Sequence, residues 1–128
     1  MAQVGVRYIV DSVDAALPFY TDLLGFEVKM HPAPGFAALS HGDLMLYLNQ
    51  PGAGGAGQSD DSGRAPAPGG WNRFMLVVDD LDAVVARLRK GGAHFRTSIV
   101  DGVGGRQAVV EDPAGNAIEL FEPKRGNA

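Results

Sequence analysis

Two stretches of the chain repeat each other at a fixed distance. Val10-Asp11 and Asp14-Ala15 recur as Val78-Asp79 and Asp82-Ala83, 68 positions later in both cases. The surroundings repeat as well: a short run of β-formers, acidic or hydroxyl residues suited to cap a helix, an amphipathic stretch ended by glycine, and three more strand-like runs. A duplicated β-α-β-β-β unit constrains the fold strongly, because each copy must build its own small sheet and lay one helix over one face.

In the first copy, Val6-Arg7-Tyr8-Ile9-Val10 reads as a strand. Asp11, Ser12 and Asp14 offer caps to a helix with Leu17, Tyr20, Leu23 and Leu24 on one side, closed by Gly25. Pro18 deletes an intrahelical bond, so this helix is expected to start late or to kink there. Strands are expected at 26–30, 36–39 and 43–49, the last setting three leucines against Met45, Tyr47 and Asn49. In the second copy the pattern gives a strand at 74–78 and a helix at 81–90 with Leu81, Val84, Val85 and Leu88 on one side. Strands are expected to follow at 95–100, 107–110 and 117–121.

Between the copies, residues 50–70 are almost all Gly, Ala, Pro, Ser and Asp, too poor in large apolar side chains to bury anything. The expected organisation is one domain: a first module at 4–50, a flexible linker or flap at 51–70, a second module at 71–122 and a tail at 123–128. At 128 residues and 45% apolar content the chain can build a core. It has no cysteine, which excludes disulfides and thiolate metal sites. A net charge of -4 with scattered Arg and Lys gives no footprint for nucleic acid. No apolar run approaches the ~18 residues of a membrane span and the first residues lack a secretory pattern, so a cytoplasmic protein with no membrane partner is expected.

The sheet faces that the helices leave uncovered are expected to curl toward each other into a cup. The first copy would line it with Gly5, Arg7, Ile9, Met45, Tyr47 and Asn49. The second would add Arg73, Met75, Val77, Ala117, Glu119 and Phe121. Glu119 stands out there. Asp112-Pro113-Ala114-Gly115-Asn116 is a turn, and the strand after it sends Ile118 and Leu120 to one face and Glu119 to the other, where a carboxylate needs water or a partner. The repeat pairs Gly5 with Arg73 and Tyr47 with Glu119, which predicts Arg73 beside Glu119 on neighbouring strands. His31, His41 and His94 read as surface turn residues rather than metal ligands. Gly52 to Gly57 opens no helix and lacks a lysine, so it is not a phosphate loop. Gly102 to Gly105 reads as a connection that sets Arg106 or Gln107 at the rim.

The duplicated pattern, Val10-Asp11-Ser12-Val13-Asp14, Phe19-Tyr20 with Leu23-Leu24-Gly25-Phe26, and above all Glu111-Asp112-Pro113 with Gly115-Asn116 and Ile118-Glu119-Leu120 resemble the vicinal oxygen chelate superfamily of glyoxalases, extradiol dioxygenases and bleomycin-resistance proteins. The resemblance implies an α+β fold of two tandem β-α-β-β-β modules forming a cupped, incomplete mixed β-barrel, and a homodimer. It also implies metal ligands at the positions of Gly5, Tyr47, Arg73 and Glu119. Of these only Glu119 is a ligand type that metal-dependent members use, so no metal and no other cofactor is expected.

The preferred expectation is a metal-independent protein of the bleomycin-resistance or glyoxalase-like class that holds a small organic molecule. Its ligand-binding residues would be Arg7, Tyr47, Asn49, Trp71, Arg73, Met75, Glu119 and Phe121. The alternative is a metal-dependent lyase, isomerase or dioxygenase acting on a vicinal-oxygen substrate, or a metal-free enzyme with Glu119 as base and Tyr47 as acid. A third reading is an interaction domain whose cup is filled by its own side chains.

Overall fold

The computed structural model describes residues 4–125, so the last three residues of the expected tail lie outside the described residues. The chain divides into two units, one ending at Gly69 and the other starting at Gly70. Unit 1 runs β1 (Gly5–Ile9), α1 (Val13–Pro18), β2 (Glu27–Ala33), β3 (Phe36–His41) and β4 (Leu44–Asn49). Unit 2 runs β5 (Phe74–Val77), α2 (Leu81–Lys90), β6 (His94–Phe95), β7 (Val100–Asp101), β8 (Gly105–Glu111) and β9 (Ala117–Pro123). Each builds an open mixed sheet, ordered β1-β4-β3-β2 in unit 1 and β5-β9-β8-β6 in unit 2, with β7 also paired to β8. In both, the first strand runs parallel to the last and the remaining pairings are antiparallel. The architecture is α+β.

The duplication extends to individual hydrogen bonds. Ser12 caps α1 by accepting from the Ala15 N–H, and Asp80 caps α2 by accepting from the Ala83 N–H, both at 3.1 Å. Gln50 Oε1 accepts from the Val13 N–H at 3.0 Å, and Glu122 Oε1 from the Leu81 N–H at 2.9 Å. Val10 N–H donates to the Asn49 carbonyl as Val78 N–H donates to that of Phe121. A residue just past the last helix-adjacent strand pairing thus satisfies a helix-start donor in each unit, which ties the helix to its sheet.

Strand alternation decides the cores. Leu46 and Leu48 of β4 and Ile118 and Leu120 of β9 are fully buried, each contributing about 1.5–3 kcal/mol of transfer free energy. Helix α2 buries Leu81, Val85 and Leu88, a one-sided stripe, and ends with Arg87, Arg89 and Lys90 at the negative end of its dipole.

Three local expectations are corrected. The first helix does not merely kink at Pro18: α1 ends there and a π-helical turn, Phe19–Leu23, takes over. The extra residue in that wider turn buries Phe19 beside Tyr20, whereas Leu17 and Leu23 stay half-buried. The single strand expected at 95–100 is broken into β6 and β7 because the Thr97 hydroxyl, not a backbone carbonyl, accepts from the Val109 N–H at 3.0 Å. Of the histidines, only the neighbourhood of His41 borders a turn. His31 lies within β2 and His94 within β6, and the His41 ring is half-buried 4.9 Å from that of Phe26.

Candidate functional site

In unit 1 the register of β1 on β4 sets Gly5 beside Met45, Arg7 beside Tyr47 and Ile9 beside Asn49. The Tyr47 ring leans back over Gly5, so that a Cβ built there would stand 2.5 Å from Tyr47 Cε2. Arg7 lies over the same ring, its guanidinium carbon 5.1 Å from the centroid, and Phe36 of β3 stacks almost parallel to it at 6.4 Å and 9°. Arg7 Nη1 donates a short hydrogen bond to Asn49 Oδ1. Asn49, 2% exposed, donates in turn from Nδ2 to the Ala53 carbonyl at 3.1 Å, which fixes which end of its amide faces Arg7.

That amide links the strand to the segment after it. Residues 50–58 fold on themselves: Gly52 N–H donates to the Gly57 carbonyl, Ala53 N–H to that of Gln50, and the Gln58 side chain to the carbonyls of Gly52 and Gly54. Gly57 is buried, and Gln50 and Gly52 leave no room there for a side chain. Between this turn and the sheet lies a cleft of about 510 Å³, lined by Arg7, Phe36 and Asn49 together with Ala33, Gly35 and residues 53–56. Its size falls within the range of small-molecule sites.

In unit 2 the predicted pair is in place. Arg73, just ahead of β5, donates from Nε at 3.1 Å and Nη2 at 2.9 Å to Glu119 Oε1, with side chains 27% and 15% exposed. Met75 is the strand partner of Glu119 and Val77 that of Phe121; Met75 and Val77 are half exposed. The Phe121 ring lies over Gly104 and Gly105.

Trp71 is 65% exposed yet anchored, because the Arg96 guanidinium carbon lies 4.6 Å from its ring centroid. Arg96 also donates to Glu111 Oε2 at 2.7 Å, to the Gly70 carbonyl at 2.7 Å and to the Gly115 carbonyl at 2.8 Å. It fastens the start of unit 2 to the turn at 112–116, which Asp112 closes by accepting from the N–H groups of Ala114 and Asn116. Sequence reasoning missed Arg96. Its partners are mostly carbonyls distant along the chain, and only Glu111 could have been guessed, once the β6–β8 pairing was known.

A third charged set lies near the start of α2. Arg106 donates from Nη2 to Asp82 Oδ2 at 2.9 Å and to Glu122 Oε2 at 3.3 Å. The hydrogen bond and charge of Arg106 hold the Asp82 carboxyl below its ordinary value.

The metal that the resemblance implies is tested by the donor set at the four positions expected to hold it. In unit 1 a glycine without a side chain and a tyrosine packed on it supply no anionic or imidazole donor. In unit 2 the one carboxylate is bonded by a guanidinium. Among the described residues no three His, Cys, Asp or Glu cluster as a metal site. These residues do not fit a divalent cation.

The repeated mixed sheets with their capped helices define a glyoxalase-type α+β chain. It belongs to the Glyoxalase/Bleomycin resistance protein/Dioxygenase superfamily, whose family model matches residues 3–120. It is 31% identical over 112 residues to the "Putative glyoxylase CFP32" of Mycobacterium tuberculosis; the match covers 87% of this chain and 41% of that protein, so the chain spans about two fifths of that relative's length. Among solved structures it resembles TnmS3, an antibiotic binding protein from Streptomyces sp. CB03234, at 26% identity and a TM-score of 0.72, covering 97% of this chain and 98% of that one. A lactoylglutathione lyase from Agrobacterium tumefaciens shares the fold at 23% identity and a TM-score of 0.74, covering 99% of this chain and 97% of that chain. No helix among the described residues is long and apolar enough to cross a membrane.

Proposed function

We propose that the protein binds a small organic molecule without a metal, and that the cleft beside Arg7, Phe36 and Asn49 receives it. The carrying observation is the use made of the family's ligand positions: Tyr47 closes over Gly5, and Glu119 is engaged by Arg73. Groups committed to each other in this way serve shape and electrostatics rather than coordination. Glu119 is then the partner of Arg73, and Tyr47 is a ring wall that orients Arg7. Trp71, Met75, Arg73 and Phe121 give unit 2 a face with apolar, aromatic and charged side chains, available to the same class of ligand. The likeness to an antibiotic binding protein supports binding without chemistry. Self-association belongs to the same reading, since Met75 and Val77 lie exposed on the edge strand β5, and sedimentation velocity measures it.

The test is a thermal-shift screen of aromatic metabolites and antibiotics, paired with elemental analysis of protein purified without a His tag. A ligand at about 100 times its Kd adds about 2.7 kcal/mol to stability, a shift of several degrees. A melting temperature that no compound moves, or stoichiometric Ni, Zn, Mn or Fe, would overturn the proposal.

A further inference from the structure

We propose that the unit 1 cleft selects a flat organic acid, with the acid group seated on Arg7; this rests on reading that cleft as a binding site. Among the described residues, four of the seven other arginines pair with carboxylates. Arg64, Arg73, Arg96 and Arg106 each have a carboxylate within 4.0 Å: Asp60, Glu119, Glu111, and Asp82 with Glu122. Arg7 has none among the described residues. Its polar partner is the neutral amide of Asn49, and its other contact is the face of Tyr47. An amide oxygen satisfies one of five guanidinium N–H donors and cancels no charge.

Two further observations turn an uncompensated charge into a ligand preference. First, no acidic side chain among the described residues lines the cleft; apart from Arg7 and Asn49 its walls are Phe36, alanines and glycines. A ligand entering it meets one fixed positive charge against apolar surface, the arrangement that orients an anion by its polar end. Second, the charge is held in place. Asn49 is locked by its bond to the Ala53 carbonyl, and Tyr47, braced by Phe36, sits under the guanidinium plane, so Arg7 is ordered before any ligand arrives. A carboxylate can then accept two N–H bonds from Arg7 while its ring system lies along Phe36. The amide of the same ring system forms only neutral acceptor contacts, and its ammonium counterpart is repelled.

The Arg7–Asn49–Ala53 chain also makes the glycine-rich turn at 53–57 part of the acid site, because moving that turn removes the partner that sets the Asn49 amide.

The experiment is calorimetric titration of the purified protein with 2-naphthoate, 2-naphthamide and 2-naphthylmethylammonium, repeated with Arg7→Gln and Arg7→Lys. The naphthoate should bind about tenfold more tightly than the amide, the ammonium most weakly, and the contrast should narrow as NaCl rises from about 50 mM to about 500 mM. Arg7→Gln should erase the preference and Arg7→Lys keep part of it, and if Arg7→Gln does not fold, Arg7→Lys and the salt series decide. Equal binding of the three compounds overturns the acid preference and leaves the cleft a binding site. A preference that survives in Arg7→Gln also overturns it, by placing the acid elsewhere. Binding of none of the three at millimolar concentration overturns this inference, while the wider screen continues to test the cleft itself.

Discussion

The Tyr47 ring lies so close over Gly5 that a β-carbon at position 5 would approach Tyr47 Cε2 to 2.5 Å. Position 5 is exposed to solvent and in an ordinary strand conformation, so neither burial nor backbone freedom requires glycine there. The ring does. Gly5→Ala should therefore displace Tyr47, cost about 1–3 kcal/mol by overpacking, and weaken binding in the cleft through Arg7. In Gly5→Ala/Tyr47→Ala the clash is gone, so denaturant melts should show the two changes to be strongly non-additive. Additive costs would mean that the ring does not need the space.

The Arg73–Glu119 pair occupies the corresponding place in unit 2. Both side chains are mostly buried, so removing one partner strands the other. Glu119→Gln should cost about 1–2 kcal/mol, and the further loss on adding Arg73→Leu should be smaller than Arg73→Leu costs alone. A chelator should leave the melting temperature of the wild-type protein unchanged. A fall of several degrees in EDTA would instead reveal a cation that contributes to folding.

Much of this was legible in sequence because it depends on short periods and on the repeat. Helix α2 spans 81–90 as its pattern required, and the alternation of Leu46 with Tyr47, or of Ile118 and Leu120 with Glu119, sorted core from face. The proximity of Arg73 and Glu119 is expected from the duplication together with the positions that the family resemblance implies. What escaped depends on contacts with no period. The π-helical turn after Pro18 shifts which aromatic is buried, a tertiary outcome that a 3.6-residue template misreads. The strand break at Thr97 comes from one hydroxyl replacing one carbonyl. Arg96 escaped because backbone carbonyls carry no sequence signature, and the bond from Asn49 to the Ala53 carbonyl because an amide bridging a strand to the next turn looks like any strand-end asparagine.

Arg96 gives a spectroscopic prediction, since Trp71 is the single tryptophan. With the guanidinium stacked on it, the indole is exposed but held. Arg96→Leu removes the stacking and strands Glu111, so it should cost about 2–4 kcal/mol. In the folded variant, Trp71 fluorescence anisotropy should fall and iodide quenching rise. Unchanged anisotropy would show that the stacking does not order the ring.

Asp82 gives the pH dependence. Its folded-state carboxyl lies below the ordinary value of 3.8 because Arg106 bonds and attracts its charged form. A depressed folded value means that the stabilisation is complete above 3.8 and is lost as pH falls through the lower value. Melting temperatures of wild type and Asp82→Asn should differ by a constant amount at neutral pH and converge only in acid below 3.8. Convergence at neutral pH would count against the pair.

The strongest test of the duplication uses Gln50 and Glu122. Both accept from the first N–H of the helix in their own unit, at 3.0 and 2.9 Å, although one is neutral and the other charged. If the acceptor oxygen matters and the charge does not, Glu122→Gln should keep the bond to the Leu81 N–H and cost under about 0.5 kcal/mol, chiefly from the weakened contact with Arg106. Glu122→Ala should cost about 1–2 kcal/mol, because it orphans a donor at the start of α2. Gln50→Ala should cost a similar amount in unit 1 through the Val13 N–H, and Gln50→Glu should be tolerated. Equal losses from Glu122→Gln and Glu122→Ala would show that unit 2 needs the charge. The two copies would then have diverged in how they hold their helices, despite sharing the geometry.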